Sequence, residues 1–146
     1  AMLRAPGGNT GAFLAAMDEV INTSRWTELQ NPLAVKLHEM NPTQAQFPMM
    51  LEWAAKIPER DDTMDLYRVA VRKFVTYQPT EAREWIGKMP NGWKQQNSLT
   101  SYAQSALFAR SDVEGAEWAR KQIGDPRFRA EVDGMFKTYE QQNKRK

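Results

Sequence analysis

The pattern Glu-Trp-x-x-Lys occurs three times in this chain, as Glu52-Trp53-Ala54-Ala55-Lys56, Glu84-Trp85-Ile86-Gly87-Lys88 and Glu117-Trp118-Ala119-Arg120-Lys121. The tryptophans stand 32 and then 33 residues apart. A fixed period of this size marks stacked supersecondary units, each too small to bury its apolar face alone. Such a repeat constrains architecture far more than chemistry.

Each copy lies on a short helical pattern followed by a longer one. In the middle unit Thr80 is the expected N-cap after Pro79. Ala82, Trp85, Ile86 and Met89 then fall on one stripe. Pro90-Asn91-Gly92 breaks that helix. A second helix is expected from about Asn97 to Arg110, with Leu99, Tyr102, Ala103, Ala106 and Leu107 inward.

Upstream, Met50, Trp53, Ala54 and Ile57 repeat the short stripe, and Pro58 stops it. Asp61 or Asp62 can cap the following helix, whose inward face is expected to carry Leu66, Val69, Ala70, Phe74 and Tyr77. Downstream, Trp118, Ala119 and Gln122 form a weaker stripe, and Gly124-Asp125-Pro126 turns the chain. The last helix is expected to bury Phe128, Val132, Met135, Phe136 and Tyr139. Glu140 takes the place of Phe74 and Leu107, as suits a terminal unit that no neighbour covers.

Before Phe47 the pattern loosens. Residues 11–22 form a helical stripe with Phe13, Leu14, Met17, Val20 and Ile21 inward. Asn31-Pro32 has the form of an N-cap followed by proline at the first helical position, opening a helix through Met40. Asn41-Pro42-Thr43-Gln44-Ala45 echoes Gln78-Pro79-Thr80-Glu81-Ala82, which predicts a degenerate fourth unit. No segment alternates with period two, so no strand is expected. The expected organisation is a lead-in at 1–10, one helical domain at 11–140 and a fraying polar tail at 141–146. The units within the domain are 11–46, 47–78, 79–111 and 112–140. The fold class is all-α: a right-handed αα-solenoid of three clear helix pairs plus the degenerate N-terminal one.

These helix pairs resemble tetratricopeptide-type repeats. The carrying residues are the Trp on each first helix, the small–large pairs Ala70-Phe74 and Ala103-Leu107 on the second, and Pro79 six residues before Trp85. The Leu-Gly that follows the Trp in that family is replaced by Lys88-Met89, and the turn within each pair is longer. The nearer likeness is to the divergent, Trp-bearing αα-hairpin repeats of bacterial proteins. The resemblance covers about residues 47–140, implies a scaffold that binds protein segments, and carries over no catalytic residue.

Composition narrows the function classes. With 146 residues, the chain has one domain's worth of core. It contains no cysteine, which excludes disulfides, thiolate metal sites and cysteine nucleophiles. No apolar run is long enough for a membrane span, and the compartment stays open. The net charge of +2 is small, and the basic end Lys144-Arg145-Lys146 has the character of a solvated tail.

His38 is the only histidine, and Pro42 occupies the place of the second ligand in a zinc-binding H-E-x-x-H. The acids Glu59, Asp61, Asp62 and Asp65 suit a helix N-terminus, and their spacing fits no calcium loop. No enzyme activity and no cofactor are expected. Basic residues group at Arg68, Arg72 and Lys73, and at Arg120, Lys121, Arg127 and Arg129, but acids are interspersed. Nucleic-acid binding through these turns is the alternative reading, and a role as accessory domain of a larger bacterial protein is another.

The expected partner is a peptide or protein. Trp53, Trp85 and Trp118 are expected to wedge between paired helices, each burying on the order of 150–250 Å². Trp26 and Trp93 lie outside the register and are expected to be partly exposed. Glu and Lys of each copy are four apart, the favourable orientation for a helical ion pair worth roughly 0.2–0.5 kcal/mol. The candidate binding residues, on the face of the short helices, are Glu52, Lys56, Arg83, Glu84, Lys88, Trp93, Glu117, Arg120 and Lys121.

Overall fold

Three helices open on proline: Pro48 and Pro79 stand in the first turns of α3 and α5, and Pro126 is the first residue of α8. Proline fits there because its missing N–H would have no intrahelical partner anyway. The computed structural model describes residues 10–39 and 44–144. It contains α1 (Thr10–Ile21), α2 (Trp26–Glu39), α3 (Phe47–Ala55), α4 (Met64–Tyr77), α5 (Pro79–Gly87), α6 (Trp93–Phe108), α7 (Val113–Gln122) and α8 (Pro126–Lys144). Short 3-10 turns at Gln44–Gln46 and Asp61–Thr63 precede α3 and α4. Every regular element among the described residues is helical, so the chain is all-α. The expected lead-in, the Asn41-Pro42-Thr43 echo and the end of the basic tail lie outside the described residues.

Contacts divide the chain into two units, the first ending at Val71 and the second beginning at Arg72, inside α4. In the first unit α1 buries Phe13, Leu14, Met17 and Ile21, and Val20 is half-buried. From α3 and the turn that follows it come Met50, Trp53, Ala54 and Ile57, the whole expected stripe. Arg60 ties two turns together: Nη2 donates to the Ile21 carbonyl (2.8 Å) and Nη1 to Asn22 (3.3 Å), while Nε pairs with Asp62 (2.8 Å). Thr63, fully buried, donates its hydroxyl to the Pro58 and Arg60 carbonyls and closes the end of α3 onto the start of α4.

Three expectations for this unit are corrected. Asn31-Pro32 does not open α2; the helix starts at Trp26 and Pro32 lies inside it. Proline there removes the bond to the Glu28 carbonyl, but Glu28 is exposed and water can take its place. Trp26 is not exposed: it is 2% accessible, and its indole N–H donates to the Asp62 carbonyl at 2.9 Å. Neither Asp61 nor Asp62 caps α4 directly; both lie in the 3-10 turn, which Arg60 precedes.

Along α4 the inward face is also rotated from the expected one. Tyr67, Val71 and Val75 are buried with Leu66, Ala70 and Phe74, whereas Val69 is half-buried and Tyr77 is 68% accessible.

In the second unit α6 is the central helix. Leu99, Tyr102, Ala103, Ala106 and Leu107 are buried as expected, but so are Gln96, Asn97, Ser98, Thr100, Ser101 and Ser105. The buried polar groups find partners close by. Asn97 donates to the Trp93 carbonyl (2.9 Å), Thr100 to that of Gln96 (2.8 Å), and Ser105 shares a 2.7 Å bond with Thr76. Helix α6 packs most closely on α7 and then on α8.

Several local expectations shift. Gln78, not Thr80, precedes the first turn of α5 and offers no side-chain cap. Helix α6 begins at Trp93, four residues before Asn97, and ends at Phe108. Gln122 is exposed, and Ile123 supplies the buried contact instead. Trp85, Trp118, Met89, Met135 and Tyr139 are half-buried, and α8 runs on through Gln141 to Lys144, where a fraying tail was expected. Ala116 of α7 is fully buried.

The α6–α7 joint holds one unusual residue, Ser111, in the left-handed region (φ 52°). It turns the chain so that Asp112 can accept from the Gly115 N–H at 3.0 Å and cap α7. A Cβ on Gly115 would meet that carboxylate, with Cγ 2.9 Å away, and Arg83 Nη2 at 3.3 Å. Gly115→Ala is therefore expected to lower stability by about 1 kcal/mol, although alanine is the better helix former by about as much. A rise in the urea midpoint would show that Asp112 moves aside freely.

Candidate partner-binding surfaces

Each Trp of the repeat is held differently. Trp53 is 6% accessible and donates its indole N–H to Asp18 of α1 at 2.7 Å. Trp85 meets Phe74 of α4 edge-on at 5.7 Å, and Trp118 meets Tyr102 of α6 at 5.2 Å. In the second unit, then, each Trp packs on the long helix that precedes its own. Both rings are half-buried.

The Glu and Lys of the three copies do not pair as expected. Among the described residues no ion pair joins Glu52 to Lys56, Glu84 to Lys88 or Glu117 to Lys121. The lysines have another local reason for their position. Lys56 and Lys88 are the C-cap residues of α3 and α5, and Lys121 is in the last turn of α7, where the helix dipole favours a cation. Glu52, Lys56, Glu84, Lys88 and Lys121 are exposed, and Glu117 is half-buried. In the first unit Glu52 and Lys56 border a groove of about 240 Å³ between α1 and α3, with Met49 and Trp53 in its wall.

Two candidate arginines are engaged within the fold. Arg83 donates from Nε to the Tyr102 hydroxyl and from Nη2 to Glu114, each at 2.8 Å, and lies 4.9 Å from the centre of the Trp118 ring. The Glu114 hydrogen bond holds this guanidinium above its ordinary pKa, opposed by burial and assisted by Tyr102. Arg120 pairs with Asp133 at 2.9 Å and Glu117 at 3.4 Å and lies over Phe136. The contact with Asp133 is too skewed for a hydrogen bond. Both arginines link neighbouring helices.

Trp93, the remaining candidate, borders a cleft of about 460 Å³ between two successive turns, Asn91-Gly92 and Gly124-Asp125. Pro126, Arg127 and the largely buried Phe128 also line it. The buried Gln96 sets the spacing. Its Oε1 accepts from the Gly124 and Asp125 N–H groups at 3.1 and 3.2 Å, and its Nε2 donates to Asn91 at 3.3 Å. Lys94 stands 5.9 Å from the Trp93 ring centre and Arg127 lies 5.3 Å from that of Phe128. Sequence reasoning expected Trp93 to be partly exposed and Phe128 to be buried, and both are so: Trp93 is half-buried and Phe128 4% accessible.

Among the described residues no group of three or more His, Asp or Glu stands together as a metal site, and no helix is long and apolar enough to cross a membrane. No protein-family model, curated protein or solved structure matches the chain.

Proposed function

We propose that the chain is a non-enzymatic helical-repeat scaffold, a right-handed αα-solenoid that binds a peptide or partner protein on the face of its short helices α3, α5 and α7. The supporting observation is the treatment of Glu-Trp-x-x-Lys. In each copy the Trp packs inward while the lysine projects outward, not paired with its own glutamate. A charge that does not stabilise its own helix through a pair stays available to a partner, and stacked helix pairs form extended surfaces on which such charges recur. The basic turns support nucleic-acid binding less well, since Arg120 faces Asp133 and Glu117, and Arg127 stands 3.8 Å from Asp125.

The test is a peptide selection by phage display on the folded protein, followed by titration against a triple variant, Lys56→Glu, Lys88→Glu and Lys121→Glu. Selected peptides are expected to lose binding to the variant while its helicity and melting stay close to those of the parent. Unchanged affinity in a folded triple variant removes the short-helix face from consideration.

A further inference from the structure

We infer that Asn91-Gly92 is a self-modifying site, at which the folded chain converts Asn91 to aspartate and isoaspartate with loss of ammonia. It is the only Asn-Gly pair in the sequence, and the inference does not depend on the scaffold reading. The reaction needs a main-chain nitrogen free to approach the side chain of the residue before it. Within a helix or a sheet that nitrogen is held by its hydrogen bond. Gly92 instead precedes the first residue of α6, and among the described residues no acceptor takes its N–H. Both residues are exposed, and apart from the chain neighbours no heavy atom lies within 4 Å of the place a Cβ on Gly92 would take.

Gln96 orients the side chain. Its Nε2 donates to Asn91 Oδ1 at 3.3 Å, whereas Asn91 Nδ2, the leaving nitrogen, has no partner among the described residues. A donor on Oδ1 also stabilises the negative charge which that oxygen gathers as the new bond forms. The Gly92 nitrogen gives up its proton to solvent and bonds to Asn91 Cγ. The Cγ–Nδ2 bond then breaks, and Nδ2 takes a proton from water and leaves as ammonia. The cyclic imide that results is opened by water. Attack at Cγ gives aspartate; attack at the Asn91 main-chain carbonyl carbon gives isoaspartate. Either product places a negative charge at the N-terminus of α6, where the helix dipole favours it. Isoaspartate also lengthens the main chain by a methylene in the turn that Gln96 ties to Gly124 and Asp125.

The test is incubation of the folded chain at neutral pH and physiological temperature, followed by peptide mass mapping and enzymatic methylation of isoaspartate. Asn91 is expected to react about tenfold faster or more than Asn22 and Asn97, which are followed by Thr23 and Ser98 and not by the permissive glycine. Asp133-Gly134 is a control within the same chain: Gly134 lies inside α8, its N–H belongs to the helix ladder, and no isoaspartate is expected there. Gly92→Ala should slow the reaction about tenfold or more, because a Cβ restricts the backbone next to the attacking nitrogen. Its fold should be kept, as Gly92 has an extended φ of 170° and open space for the methyl group; circular dichroism checks this. Three results would overturn the inference: Asn91 reacting no faster than Asn22, an unchanged rate in Gly92→Ala, or a rate in the folded chain more than about tenfold below that of the blocked peptide Lys-Met-Pro-Asn-Gly-Trp-Lys. The last would mean that the fold holds this turn against the reaction.

Discussion

Trp26→Ala is expected to destabilise the protein by about 3–5 kcal/mol, the range for removing a large aromatic from a core. The ring is 2% accessible at the first turn of α2, beside a core that includes Leu33 and Leu37 of the same helix. Its N–H is the partner of the Asp62 carbonyl, so truncation also leaves that acceptor in need of water. Two effects add at one residue: a cavity the size of an indole, and loss of the anchor that holds the helix turn upstream of Pro32. Trp26→Phe separates them. It keeps most of the apolar area and drops the hydrogen bond, at about 1–2 kcal/mol. Urea denaturation of both variants checks this. A cost below 1 kcal/mol for the alanine variant would mean that the start of α2 contributes little to the first unit.

Trp26 also marks what the sequence could not convey. Its neighbours Thr27 and Glu28 are polar, and Asn31-Pro32 has the form of a helix start, so local rules put the boundary after it. Tertiary contact decided otherwise, through Asp62, 36 residues away in sequence. The inward stripes of α3 and α6 were legible because they rest on apolar spacing within short windows: Met50, Trp53, Ala54 and Ile57 are all buried, as are Leu99, Tyr102, Ala103, Ala106 and Leu107. Faces failed where a helix is covered on more than one side. Thus α6 hides Ser98, Thr100 and Ser101 as thoroughly as Leu99, a pattern that an amphipathic stripe cannot signal. The same cause explains α4, where Tyr67 and Val71 are buried alongside the expected Leu66 and Ala70.

For the candidate residues, sequence spacing told which charges share a helix but not which helices meet. The Glu–Lys pairs predicted by i,i+4 spacing are absent among the described residues, while Arg83 and Glu114, 31 apart, form a 2.8 Å bond. Arg83 is two residues before Trp85 yet serves Trp118, the tryptophan of the next copy. Gln96 had no sequence signal at all, being one polar residue in the run Lys94-Gln95-Gln96-Asn97. Its role follows from two turns that only the fold brings together.

Tyr102→Ala should be the most damaging single change in the second unit, at about 3–5 kcal/mol. The ring is 1% accessible on the central helix and makes contact with three other groups: Trp118 edge-on at 5.2 Å, Arg110 at 5.2 Å and Arg83 at 5.7 Å from its centre. Arg110 pairs through Nη1 with Asp112 at 3.5 Å, but its Nε and Nη2 are buried without a hydrogen-bond partner, so the ring face adds to that ion pair in compensating the guanidinium. Tyr102→Phe keeps the ring and removes the hydroxyl that accepts from Arg83, at about 1 kcal/mol. Arg83→Met should cost about 1–2 kcal/mol, the size of a part-exposed cation–π contact with its hydrogen bonds. In a double-mutant cycle Tyr102→Phe and Arg83→Met should couple by more than about 0.5 kcal/mol, as contacting residues do. The cycle bears on function too. Arg83 was expected on the binding strip, but its guanidinium is already directed at Tyr102, Glu114 and Trp118. If Arg83→Met lowers stability while folded protein keeps its affinity for selected peptides, Arg83 belongs to the clamp between helices. If affinity falls with stability unchanged, it belongs to the strip, and the outward charges of the repeat include it.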